Sequence, residues 1–318
     1  MGGLTVTSSI KSFGGTLHKL SHDSTSTGTK MALNLFIPPA PPREPIKMPL
    51  LVYLSGLTCT GDNCAEKGFI QPHAVKYGIA VAYPDTSPRG AGVEGEDKDW
   101  DFGTGAGFYI DATNPPYDKN YKMYTYITKE LPALLKEHYQ EIDTERVSLM
   151  GHSMGGHGAM SIYLKNPGKY LSCSAFAPIA NPVACPWGQK AFTGYFGPPP
   201  PTSSVESPTP SIWQQHDSTH LIKSYPQDTP MAIKIDVGTA DKFYQDGQLL
   251  VENFEKAARE AKWGEAYVEV KKRDGYDHSY YFVSSFVKDH VDFHATFLLG
   301  VGQRRPDGLV VGEGAYQV

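Results

Sequence analysis

The chain has 318 residues and a formal charge of −5, so no whole-molecule field draws it to nucleic acid or anionic lipid. Hydrophobic residues make up 40% and charged residues 20%, which allows a large buried core and excludes a disordered chain. No apolar run reaches the length of a membrane-spanning helix.

The first residues lack the apolar stretch of a secretory leader, and Val6 stands where N-myristoylation requires Ser or Thr. Cys59, Cys64, Cys173 and Cys185 show no C-x-x-C spacing and read as reduced thiols rather than a disulfide framework. The expected location is the cytoplasm.

Up to about residue 38, alternating runs such as 31–37 are separated by turns rich in Ser, Thr and Gly, which predicts antiparallel strands at one edge of a sheet. A proline-rich connector follows over 38–45. Strand-like runs then occupy 49–54, 78–83, 146–150, 171–177, 231–237 and 267–272, and helical patterns occupy 122–139, 154–164, 247–262 and 280–299. Runs such as 50–54 and 79–83 are apolar throughout, as a strand covered on both faces must be. The alternation predicts one α/β domain over 1–299 with a mostly parallel, doubly wound sheet. The stretch 198–210, with four consecutive prolines, reads as an exposed loop, and 300–318 as a loose tail.

Gly151-His152-Ser153-Met154-Gly155 fits G-x-S-x-G, with a strand-like run before it and a helical pattern after it. Such a strand-to-helix turn exposes the serine in a strained conformation and needs small flanking residues. This predicts an α/β-hydrolase fold with Ser153 as nucleophile. A serine hydroxyl is a weak nucleophile, so it requires a base and a group that orients the base. In this fold they follow in the order acid, then histidine, each after a strand. Asp241 follows the run 231–237 and His278 follows 267–272. Asp236 lies inside its strand and Asp246 falls toward the next helix, so Asp241 is the favoured acid. His290 and His294 are spaced i, i+4 without the Glu of H-E-x-x-H, which reads as a satisfied helix face and not a metal site. His152 and His157 read as packing groups beside the elbow. No metal and no cofactor is expected.

Five blocks carry a wider resemblance: LSGLTCT over 54–60, DFGTGAGFY over 101–109, GHSMGG over 151–156, CPWGQKAF over 185–192 and GYDHSYY over 275–281. Together, over roughly 12–299, they resemble the S-formylglutathione hydrolase, or esterase D, family. The resemblance implies the same triad, Ser153, Asp241 and His278. It also implies an oxyanion hole made by the backbone N–H groups of Leu57 and Met154, in agreement with the rule for this fold. The implied reaction converts S-formylglutathione and water to glutathione and formate, the second step of glutathione-dependent formaldehyde detoxification. Relative to compact family members, 198–210 reads as an insertion and 300–318 as an extension.

For the substrate site, Trp187, Phe108 and Tyr109 are candidate pocket walls, and Lys190 is a candidate partner for a glutathione carboxylate. Each has a plain structural alternative as a core aromatic or a solvated lysine. Cys59, two residues beyond Leu57, is expected near the site as a bystander thiol whose modification would block access. The expected partner is a small-molecule glutathione thioester, with no nucleic acid or membrane and at most a second copy of the chain in a homodimer. The rival functions are a broad short-chain carboxylesterase, an acyltransferase, and a binding module on an inactive hydrolase fold.

Overall fold

The structure, a computed structural model, describes residues 3–39, 47–198 and 211–300. Most of the proline-rich connector, the loop expected over 198–210 from residue 199 onward, and the tail from 301 lie outside the described residues.

Among the described residues nine strands form one sheet: β1 (Thr5–Ser12), β2 (Gly15–Asp23), β3 (Lys30–Ile37), β4 (Met48–Leu54), β5 (Ala80–Pro84), β6 (Ile142–His152), β7 (Cys173–Phe176), β8 (Ile233–Gly238) and β9 (Val268–Arg273). Their order across the sheet is β1-β2-β3-β5-β4-β6-β7-β8-β9. The first three strands and the β3–β5 contact are antiparallel, and every pairing from β5 to β9 is parallel. This is the α/β-hydrolase arrangement expected from the sequence, with its antiparallel edge at the N-terminal strands.

Burial follows position in the sheet. All seven residues of β4, all five of β5 and all six of β8 are buried, whereas β1, at the edge, is exposed along nearly its whole length. β4 and β5 carry no polar stripe, and each Val or Leu buried there stabilises the fold by about 1.5–3 kcal/mol. By contrast, β8 buries Lys234 and Asp236, each paired with a charge, Glu269 at 2.6 Å and Arg273 at 2.7 Å.

The helices that flank the sheet are α1 (Gly61–Lys67), α2 (Gln71–Tyr77), α3 (Met123–Thr125), α4 (Leu131–His138), α5 (Met154–Lys165), α6 (Pro186–Phe196), α7 (Ser218–Leu221), α8 (Lys242–Gln245), α9 (Val251–Glu260) and α10 (Tyr280–Leu298). Both α5 and α10 pack on β6 and β7. Among the described residues no helix is long and apolar enough to cross a membrane.

The helix expected over 122–139 is interrupted. Between α3 and α4 the chain makes a π turn over Tyr126–Glu130. Pro132 has no N–H to offer the Thr128 carbonyl one turn back, which breaks the regular ladder. The Lys169 ammonium donates to that carbonyl at 2.7 Å instead.

The strand order determines where a site can form. After β4 the chain moves to β5 on one side, then crosses back to β6 on the other. The carboxyl ends of β4 and β6 therefore flank a switch in direction, where open α/β sheets leave a crevice.

Candidate active site

Ser153 occupies the turn between β6 and α5 with φ 59° and ψ −121°. A non-glycine residue in such a conformation carries about 1–3 kcal/mol of strain, so its surroundings must hold it there. The Ser153 N–H donates to the Phe176 carbonyl at 2.9 Å, and the Ser153 carbonyl accepts from the N–H of His157 at 3.1 Å. Two glycines make the turn sterically feasible. A Cβ on Gly151 would lie 2.0 Å from the Gly155 carbonyl oxygen, and one on Gly155 would lie 2.0 Å from that of Leu54. The turn leaves Ser153 only 4% exposed, at the N-terminus of α5.

Asp241 and His278 come from the loops that follow β8 and β9. Two backbone hydrogen bonds join these loops, Thr239 N–H to Arg273 O at 3.0 Å and Ala240 N–H to Tyr276 O at 2.9 Å. A third runs from the Gly275 N–H to the Thr239 hydroxyl oxygen at 2.9 Å. Within this frame Asp241 Oδ2 lies 2.5 Å from His278 Nδ1. Asp241 is completely buried, and the His278 side chain is 18% exposed. The His152 ring lies 4.7 Å from that of His278, which brings the imidazole beside the elbow. Burial drives the basicity of His152 well below the ordinary histidine range, so it stays neutral there.

The other two acids weighed from the sequence have different partners. Asp236 is buried in β8 and paired with the Arg273 guanidinium at 2.7 Å. Asp246 has a side chain 57% exposed, 3.8 Å from Lys242. The two α10 histidines are buried. His294 lies between the hydroxyls of Ser172 and Ser174, at 2.8 and 2.7 Å, and the His290 ring stacks on Phe176 at 3.8 Å. His157 packs between Phe108 and Phe192, and burial lowers its pKa to about 4.

The loop after β4 approaches Ser153 from the other side of the crevice. A Cβ on Gly56 would stand 3.1 Å from the Cβ of Ser153 and 3.7 Å from its Oγ. Leu57 follows directly, and among the described residues its N–H makes no hydrogen bond. Met154 is the first residue of α5, where an N–H has no acceptor within the helix. Both expected donors thus lie in segments that adjoin Ser153.

The expected substrate residues sit in varied settings. Trp187 is nearly buried, with its ring 4.6 Å from Phe243, whose own ring meets His278 edge-on at 4.8 Å. Trp100, 56% exposed, meets Trp187 edge-on at 5.7 Å. Neither Phe243 nor Trp100 stood out in the sequence, although Phe243 lies only two residues beyond Asp241. Phe108 and Tyr109 are fully buried. The Tyr109 hydroxyl donates to the Ser55 carbonyl at 2.9 Å, beneath the loop that carries Leu57. Lys190 is held by the carboxylates of Asp99, at 3.2 Å, and Asp101. Cys59 is half-buried, and burial raises its thiol pKa.

A serine on a strained elbow, an aspartate–histidine pair beside it, and the backbone N–H groups of Leu57 and Met154 in the adjoining loop and helix make an arrangement that can carry out acyl transfer. The family model described as "Putative esterase" matches residues 24–293. The chain is 48% identical over 291 residues to the S-formylglutathione hydrolase of Bos taurus, covering 92% of this chain and 97% of the bovine one. It is 45% identical over 296 residues to that of Arabidopsis thaliana, covering 93% and 98%. The chain belongs to the S-formylglutathione hydrolase family. The solved S-formylglutathione hydrolase of Agrobacterium tumefaciens superposes with a TM-score of 0.83 at 40% identity, over 92% of this chain and 99% of that one. As a member of this family the chain is a hydrolase.

Proposed function

We propose that the chain hydrolyses S-formylglutathione to glutathione and formate, with Ser153 as nucleophile, His278 as general base and acid, and Asp241 as the group that orients His278. The observation that carries this reading is the 2.5 Å contact between Asp241 and His278 beside the strained serine, in a chain of this family. With Nδ1 engaged by Asp241, Nε2 is the nitrogen left to take the Ser153 proton. Ser153 Oγ then attacks the formyl carbon, and the oxyanion is held by the N–H groups of Leu57 and Met154. Collapse breaks the C–S bond, and glutathione leaves as its thiol with the proton from His278. Water, deprotonated by His278, attacks the formyl-serine ester and releases formate, and the proton returns to Ser153. Losing one oxyanion donor costs about 2.7–4 kcal/mol in such sites.

This reaction is the second step of glutathione-dependent formaldehyde detoxification. All four cysteines are free thiols, which supports placing the protein in a reducing compartment, the cytoplasm. The row of edge-on and tilted rings formed by Phe243, Trp187 and Trp100 leads away from His278 and supports an aromatic wall for the substrate there.

The test compares kcat/KM for four substrates: S-formylglutathione, S-acetylglutathione, the formyl thioester of a small neutral thiol, and a short-chain aryl ester. An acyl pocket sized for formyl gives overpacking of about 1–3 kcal/mol with acetyl, a drop of roughly tenfold after correction for intrinsic reactivity. The small-thiol ester should be much poorer, because remote contacts to glutathione orient the thioester. Equal values for the two thiols, or a preference for the aryl ester, would replace this reading with a broad esterase.

A further inference from the structure

Leu57 lies in a turn that is not stable by itself. The Cys59 N–H closes the turn onto the Gly56 carbonyl at 3.3 Å, with Thr58 at φ 65°, a position where such turns ordinarily carry glycine. Something outside the turn must hold it. The Thr58 N–H donates to the Gly105 carbonyl at 2.9 Å. The next carbonyl, that of Cys59, accepts from the Thr86 hydroxyl at 2.5 Å and from Arg89 Nη2 at 3.0 Å. Thr86 and Arg89 belong to the segment that follows β5, and Asp85 sets them both. Its Oδ1 accepts from the Thr86 N–H at 2.7 Å and from Arg89 Nη2 at 2.8 Å, and its Oδ2 accepts from Arg89 Nε at 3.2 Å. Asp85 is 3% exposed and Thr86 is fully buried. The neighbouring Ser87 hydroxyl accepts from the Gly105 N–H at 2.8 Å, so one segment braces both supports of the turn.

We propose that Arg89, oriented by the buried Asp85, is a positioning residue that fixes the Leu57 N–H as an oxyanion donor. The inference rests on the proposed role of Leu57. Two charge-assisted donors from one guanidinium hold the carboxylate and the loop carbonyl in a fixed relation, which lysine, a point charge on a flexible stem, does not reproduce. Arg89 reaches the reaction only through the loop. Its loss therefore misplaces a group used in the transition state and leaves ground-state binding of the substrate intact.

The test uses the full chain with Arg89→Ala and, separately, Thr86→Val, which removes the second donor to the Cys59 carbonyl and keeps the ion pair. For Arg89→Ala, kcat should fall about 10–100-fold on both S-formylglutathione and an aryl ester, because both pass through the same oxyanion. KM should stay within about twofold for each. The Arg89 side chain is 32% exposed, so millimolar guanidinium can enter the vacated site and should restore part of the lost kcat. Thr86→Val should lower kcat in the same sense. Unchanged kcat in folded Arg89→Ala overturns the proposal. So does a rise in KM for S-formylglutathione alone, which would make Arg89 a substrate contact, or a kcat loss in Arg89→Ala that guanidinium leaves untouched. If Arg89→Ala does not fold, Arg89→Lys, which keeps the charge without the fixed fork, decides the matter: kcat should fall with KM within about twofold, and an unchanged kcat overturns the proposal. If Ser153→Ala keeps its turnover, the proposed function itself fails. If Ser153→Ala is inactive while Arg89→Ala and Thr86→Val keep full kcat, only the clamp fails.

Discussion

Asp241 divides its carboxylate between its own helix and His278. Oδ1 caps α8 by accepting the N–H groups of Phe243 and Tyr244, at 2.8 and 3.3 Å, while Oδ2 meets His278 Nδ1 at 2.5 Å. The cap fixes the acid before the histidine is considered, so the imidazole is oriented against a rigid partner.

Asp241→Asn preserves an oxygen for the cap but supplies an amide where the imidazole N–H must donate. It should lower kcat by a factor on the order of 10⁴ through the wrong tautomer, with little change in Tm. Asp246→Asn, at an exposed side chain paired with Lys242, should stay within about twofold of wild type. Steady-state kinetics on both variants check this, and a crippled Asp246→Asn beside a normal Asp241→Asn would contradict it.

Gly155→Ala sets two effects against each other. Alanine is favoured over glycine in a helix by about 0.5–1 kcal/mol. The added Cβ, however, would sit 2.0 Å from the Leu54 carbonyl oxygen, and backbone at the sheet centre cannot yield cheaply. Overpacking of about 1–3 kcal/mol or more should win. Thermal denaturation should show a clear loss in Tm. Gly264→Ala, where nothing lies within 4 Å, should change stability by no more than about 0.5 kcal/mol.

Most of the sheet, most of the longer helices and the elbow were legible in the sequence for a physical reason, whereas the short helices α1 and α2 were not. The apolar runs that became β4 and β5 are buried on both faces, so their composition alone marks them, and G-x-S-x-G is short because sterics act over a few residues. The helix α6 was missed because its cap is Cys185, which accepts the Gly188 N–H through sulfur, and not one of the residues that ordinarily announce a helix start. The Lys190 ion pairs were invisible because Asp99 and Asp101 stand about ninety residues earlier and only the fold brings them together. The Arg89–Asp85 clamp is likewise a relation between loops after different strands, which no local pattern records.

Cys59 should be the thiol through which an alkylating reagent acts, since Cys64, Cys173 and Cys185 are buried. Burial raises its pKa, so inactivation by N-ethylmaleimide should be slow near neutrality and quicken as pH rises. Cys59→Ser should keep most activity and resist the reagent. Residual activity followed over time checks this, and undiminished sensitivity of Cys59→Ser would assign the effect to another thiol.

Acid should weaken the fold through its buried histidines. His157 has its pKa lowered to about 4 by burial, and His152 and His294 are pushed in the same direction. Unfolding returns such rings to about 6.5. Below that pH the unfolded chain binds more protons than the folded one, so stability falls as pH drops from about 6.5 toward 4 and is level above this range. For His157 the loss by pH 4 is on the order of 3 kcal/mol. His157→Phe should therefore lose less Tm than wild type between about pH 7 and pH 5. Equal losses in the two proteins would remove His157 from the account.

The central claim, that Ser153 is the nucleophile for S-formylglutathione, is tested most directly by the turnover of that thioester with Ser153→Ala. The substitution removes one oxygen at a 4% exposed position and should leave circular dichroism and Tm close to wild type. The account predicts that release of glutathione from S-formylglutathione falls by a factor on the order of 10⁶, to the residual rate that binding and the oxyanion hole alone supply. Substantial turnover by a folded Ser153→Ala protein would contradict it.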